Sequence, residues 1–169
     1  DGFWWTVVQK DVLYNCGCRN LHFKNIYLKK DRPFCLFILF DHDEWSRSYY
    51  PNSIPPVQEN ITFENLVVEG NVQNLLASNT PVDNVRFINC TLKNNTLRFV
   101  DLDAEGLIYP QSHVLLDGTY FKEEPEMLVY CNGGNSAVIT VANTMNDNIK
   151  TKTVGNVIIK KSDITIKKG

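Results

Sequence analysis

The sequence predicts an all-β fold: a right-handed parallel β-helix of about five coils with Asn-rich corners, forming one domain over residues 1–169. Three observations predict it. Three segments, "RNLHFKNIYL" (19–28), "ENITFENLVV" (59–68) and "DNVRFINCTL" (83–92), repeat the pattern Asn, apolar, x, Phe, x, Asn, x, x, apolar. Asparagine recurs at two fixed positions of that pattern, where a chain must turn a corner. The apolar residues follow the period-2 spacing of strands throughout, and no stretch shows the 3.6-residue period of an amphipathic helix.

Taken in order, each copy reads as strand, corner, strand. In the first, Leu21 and Phe23 alternate onto one face, Asn25 turns the chain, and "CLFILF" (35–40) supplies the next apolar strand. The second places Ile61 and Phe63 inward, turns at Asn65, and continues as "NLLAS" (74–78). The third runs through Val85 and Phe87 to Asn89 and then "LRFVDL" (97–102). Two weaker copies follow: "SHVLLDGTYF" (112–121), continued by "MLVYC" (127–131), and "GNVIIKKSDI" (155–164). The first corner column is thus Asn20, Asn60, Asn84, His113 and Asn156, and the second is Asn25, Asn65, Asn89, Gly118 and Lys161. Asn and Gly tolerate the left-handed backbone such a corner needs, and stacked Asn amides can hydrogen-bond up and down a ladder. The interval from His113 to Asn156 reads as one coil plus an insertion. A leucine-rich repeat would show a Leu-x-x-Leu-x-Leu core, which is not matched.

Composition sets the outer bounds. The 169 residues carry 17 Lys and Arg against 19 Asp and Glu, a formal charge of −2. There is no basic excess to suggest nucleic acid, and no apolar run approaches the roughly 20 residues of a membrane span. The opening "DGFWWTVV" lacks the basic region and small-residue cleavage site of a signal peptide. Its Phe3, Trp4 and Trp5 read as residues that expect a preceding coil, so the chain is expected to be the C-terminal part of a longer solenoid. Five cysteines (Cys16, Cys18, Cys35, Cys90, Cys131) form neither a metal spacing nor an even disulfide set, and read as buried thiols. Sequons begin at Asn60, Asn89 and Asn94, but the first two fall on corner positions. Six of the seventeen basic residues lie in the last twenty: Lys150, Lys152, Lys160, Lys161, Lys167 and Lys168. They read as guards on a terminal strand edge.

The stretch "NLHFKNIYL…FCLFILFDHD…PPVQENITFENLVVEG…PVDNVRFINCTL" resembles the late coils of the pectin-lyase-like β-helices. It is most similar to the polygalacturonase-like glycoside hydrolases of family 28. The likeness covers roughly residues 18 to 100 and is one of coil pattern. It implies a polysaccharide or oligosaccharide partner, upstream coils of the same solenoid, no cofactor, and a secreted, periplasmic or cell-surface setting. The family's Asn-Thr-Asp, Asp-Asp, Gly-His-Gly and Arg-Ile-Lys motifs are absent from this chain, with Trp4 and Trp5 near the register of the last. No catalytic residue is therefore carried over. The implied role is scaffold and groove wall of a polysaccharide-active protein, inactive as these coils alone. The alternative is a non-catalytic carbohydrate-binding or adhesion solenoid of the tailspike kind.

Two acidic clusters stand out from the coils. "FDHDEWSRSYYP" opens the long inter-coil loop 41–58 and holds Asp41, His42, Asp43 and Glu44 beside Trp45, Tyr49 and Tyr50. Acids and aromatic platforms are what a sugar-binding wall uses, and loops carry most function on repeat scaffolds. The plainer alternative is a solvated loop start that Tyr49 and Tyr50 pack back onto the coil. Asp101 and Asp103 follow "LRFV" as the first cluster follows "FILF". At about 4.8 Å per coil the two clusters would lie about 10 Å apart on one edge. That distance suits an extended groove better than a catalytic pair, and no dedicated metal loop is present. His22, level with Thr62 and Arg86 in sister copies, reads as an outward surface histidine.

Overall fold

The computed structural model describes residues 5–8, 19–40, 58–78, 81–93, 95–99, 110–122, 126–144 and 149–162, with strand pairing alone for 5–8 and 32–40. The described residues are all-β and contain no helix. The chain runs through β1 (Trp5–Val8), β2 (Arg19–Lys24), β3 (Tyr27–Leu28), β4 (Arg32–Phe40), β5 (Gln58–Glu64), β6 (Val67–Val68), β7 (Val72–Ser78) and β8 (Val82–Ile88). It continues through β9 (Thr91–Leu92), β10 (Leu97–Phe99), β11 (Ser112–Asp117), β12 (Tyr120–Phe121), β13 (Glu126–Cys131), β14 (Ser136–Ala142), β15 (Lys150–Val154) and β16 (Asn156–Ser162).

These strands form three sheets, ordered β1-β4-β7-β10-β13-β15, β16-β14-β11-β8-β5-β2 and β12-β9-β6-β3. Every pairing among the described strands is parallel. From β1 to β14 the chain visits the first, second and third sheets in turn, each time one strand farther along, and then passes from β14 to β15 in the first sheet and β16 in the second. That arrangement fits a parallel β-helix. Successive visits stay in register: Phe23, Phe63 and Phe87 are direct partners in the second sheet, as are Leu28 and Val68 in the third.

Alternation explains the core. In β5 the inward Ile61 and Phe63 are buried, and β8 buries Val85 and Phe87 in the same rows. The three phenyl rings stack, with centroids 5.1 Å apart from Phe23 to Phe63 and 4.9 Å from Phe63 to Phe87. From the first sheet, Leu76, Leu97, Phe99, Met127 and Val129 close the same cluster, joined by Val68, Leu92 and Phe121 from the third. The two-residue strands of the third sheet thus put one side chain in and leave one out, as the exposed Tyr27 and Tyr120 show. Cys90 and Cys131 are free and buried. Burial pushes the Cys90 thiol up to about 11 and that of Cys131 up to about 12.

The corners carry the backbone signature of their residue types. Asn25, Asn65, Asn89 and Asn143 all have left-handed φ, between 47° and 57°, and Gly118 takes φ 63° in the same column. Asn20, Asn60 and Asn84 do the same earlier in their strands, at φ 59°, 55° and 51°. Their amides form a ladder: Asn84 Nδ2 donates to Asn60 Oδ1 at 2.7 Å, and Asn60 Nδ2 donates to Asn20 Oδ1 at 3.2 Å. Asn60, one of the sequons, therefore uses its amide on both sides.

Three details of register differ from the sequence reading. The interval between His113 and Asn156 contains β14, a full strand of the second sheet ending at the corner residue Asn143, rather than an insertion. The second sheet thus has six strands where the repeat shows five copies. The final copy is also displaced by two residues. Ile158, not Asn156, is level with Val138, and Lys161 pairs with Val141 rather than closing the corner column. A slip of two preserves which side chains face inward, so alternation alone cannot detect it. Finally, His113 does not take a left-handed corner; it pairs with Asp83, Nδ1 to Oδ1 at 3.0 Å.

Candidate functional site

Among the loop residues singled out from the sequence, Asp41, His42, Asp43, Glu44, Trp45, Tyr49, Tyr50, Asp101 and Asp103 lie outside the described residues. The strands that lead to them are described: β4 ends at Phe40 and β10 at Phe99, and both belong to the first sheet, separated by β7. On that sheet Arg98 also lies over the Tyr130 ring, 5.1 Å from its centroid.

The described surface has a depression of about 460 Å³ on the outer face of the second sheet. It is lined by Asn20, Leu21 and His22 of β2, Asn60, Thr62 and Glu64 of β5, and Arg86 and Ile88 of β8. The same alternation that sends Ile61 and Phe63 inward sends Asn60, Thr62 and Glu64 outward. Rows are set by the parallel register, so His22, Thr62 and Arg86 stand side by side. Thr62 is the short residue between two long ones, which is why the surface dips there.

Two side-chain groups organise the depression. Glu64 receives Lys24 Nζ on Oε1 and His22 Nε2 on Oε2, each at 2.9 Å. The Lys24 hydrogen bond is the main reason its carboxyl lies below the usual carboxylate range; partial desolvation opposes it, and the His22 hydrogen bond adds to the lowering. Glu64 is therefore ionised at neutral pH and does not suit the part of a general acid. Beside it, Arg86 leans over β5 and places both Nε (3.1 Å) and Nη2 (2.8 Å) on Thr62 Oγ1. That cover leaves Thr62 only 6% exposed although it faces outward.

Acid–base cleavage of a glycosidic bond uses two carboxyl groups flanking the bond. The lining of this depression holds one, Glu64, and it is ion-paired. Among the described residues no three His, Cys, Asp or Glu gather as a metal site, and no helix is long and apolar enough to cross a membrane.

With Glu64 and Lys24, Arg86 is a participant that the sequence reading missed. Its position in the outward row beside His22 was legible, but its fold onto Thr62 depends on the neighbouring strand. Comparisons of the chain with family models, with curated proteins and with solved structures find no match.

Proposed function

We propose that the chain is a run of coils from a right-handed parallel β-helix in a polysaccharide-active protein of the polygalacturonase-like type. Its contribution is scaffold and sugar-binding groove wall, with any hydrolysis depending on carboxylates in other coils of a longer solenoid. The observation that carries this reading is the strand order. Parallel strands are revisited sheet by sheet, with Asn at the turns, and β4, which ends at Phe40 just before the acidic stretch, belongs to the first sheet. A secreted, periplasmic or cell-surface setting belongs to the same proposal.

One observation favours the non-catalytic version, a carbohydrate-binding or adhesion solenoid. The only carboxylate lining the described depression is ion-paired with Lys24 and hydrogen-bonded to His22. Both readings predict glycan binding without release of reducing ends by these 169 residues. A glycan array followed by titration of the best ligand checks this. Trp45→Ala and Tyr49→Ala are expected to weaken binding about tenfold each, the loss of roughly one stacking contact. Release of reducing ends from pectic or other plant polysaccharides would refute the scaffold role, and unchanged affinity in both variants would remove the loop from the binding surface.

A further inference from the structure

We infer that the depression between β2, β5 and β8 is an oxyanion-binding site centred on Arg86. A guanidinium has five N–H donors. Two of them, Nε–H and one on Nη2, are committed to Thr62 Oγ1, leaving three. The uncommitted donors are the two on Nη1 and the second on Nη2, the edge that grips an oxyanion through two parallel hydrogen bonds. Arg86 has no carboxylate partner among the described residues, while Arg19, Lys24 and Lys122 each have one.

The surroundings favour an anion in this place. Glu64 is the negative group nearest in the lining, and its two oxygens are occupied by Lys24 and His22. In the lining Arg86 is the one permanently cationic side chain, and Glu64, the one carboxylate, is engaged by Lys24 from outside it. At the rim, Asn20 accepts from Asn60 through Oδ1, so its own Nδ2 donors have no partner among the described residues. Thr62 holds the guanidinium in place from below, so little side-chain entropy remains to be lost on binding. The inference is independent of the glycan reading: it concerns the anionic group, carboxylate or phosphoryl, and stands whether or not a sugar carries it.

The test is an NMR titration of the full 169-residue chain with acetate and with inorganic phosphate, against chloride at matched ionic strength. The expected result is a saturable shift of the Arg86 Nε–H and Asn20 side-chain amide resonances, with acetate, phosphate or both. Tighter binding of acetate would identify a carboxylate as the source, and tighter binding of phosphate a phosphoryl group. Arg86→Gln should weaken the response at least tenfold. Thr62→Val should weaken it while Thr62→Ser retains it, because only the hydroxyl positions the guanidinium. The proposal is overturned if neither anion saturates, if chloride produces the same shifts, or if Arg86→Gln binds as the parent does.

Discussion

At the scale of single residues, the corners are where composition and conformation meet most directly. Asn65 adopts φ 55° and donates from Nδ2 to Asn25 Oδ1 at 2.9 Å. Alanine there would pay for the left-handed backbone and lose the amide bond. Asn65→Ala should therefore cost about 1–3 kcal/mol in urea unfolding, whereas Asn65→Gly keeps the backbone and should cost under about 1 kcal/mol. Equal losses in the two variants would mean that the amide alone matters. The column itself already contains the glycine solution: Gly118 stands where Asn89 stands one strand earlier, and a Cβ on it would come within 2.5 Å of Asn89 Oδ1. These positions were legible in the sequence because few residue types tolerate positive φ. The Arg86–Thr62 contact was not, since nothing in a strand's pattern says toward which neighbour an outward arginine bends.

At the scale of elements, the phenylalanine ladder ties β2, β5 and β8 together. Phe63 is stacked on both Phe23 and Phe87 and is 2% exposed, while Phe23 is only partly buried. Phe63→Ala should cost about 3–5 kcal/mol, and Phe23→Ala distinctly less, because a partly buried ring gives up less burial and water can fill the space it leaves. Chemical denaturation of the two variants under one condition decides the order. The strands carrying Phe were plain in the sequence for the same reason they are stable: a large ring at a fixed offset marks both the repeat and the core. β14 was overlooked because "SAVITVA" fills the same rows with Ala, Ile and Val. Those side chains pack equally well without resembling the other copies.

At the scale of the whole molecule, the strands that pair are distant in sequence; the ladder asparagines alone are 40 and 24 residues apart. Such topologies fold slowly, on the scale of milliseconds to seconds, and expose strand edges while they do so. Among the described strands, β15 and β16 are the last of their sheets and carry Lys150, Lys152, Lys160 and Lys161. Replacing these four lysines with threonine should produce dimers and larger species in light scattering, because threonine favours strand pairing and removes the charge that opposes it. A monodisperse variant at the parent's mass would show that the lysines do not guard the edge.

The sequence by itself determined most of the strands, their inward faces and most of the corners, because alternation and left-handed backbone are local demands that each residue type meets or fails alone. Tertiary structure decided the rest: how many strands stack in the second sheet, the two-residue register of β16, and the pairing of His113 with Asp83 instead of the asparagine ladder. It also decided that Arg86 lies on Thr62 while His22 and Lys24 share Glu64. Those outcomes depend on which side chain a neighbouring strand, dozens of residues away, brings alongside, and a period of two is blind to that choice.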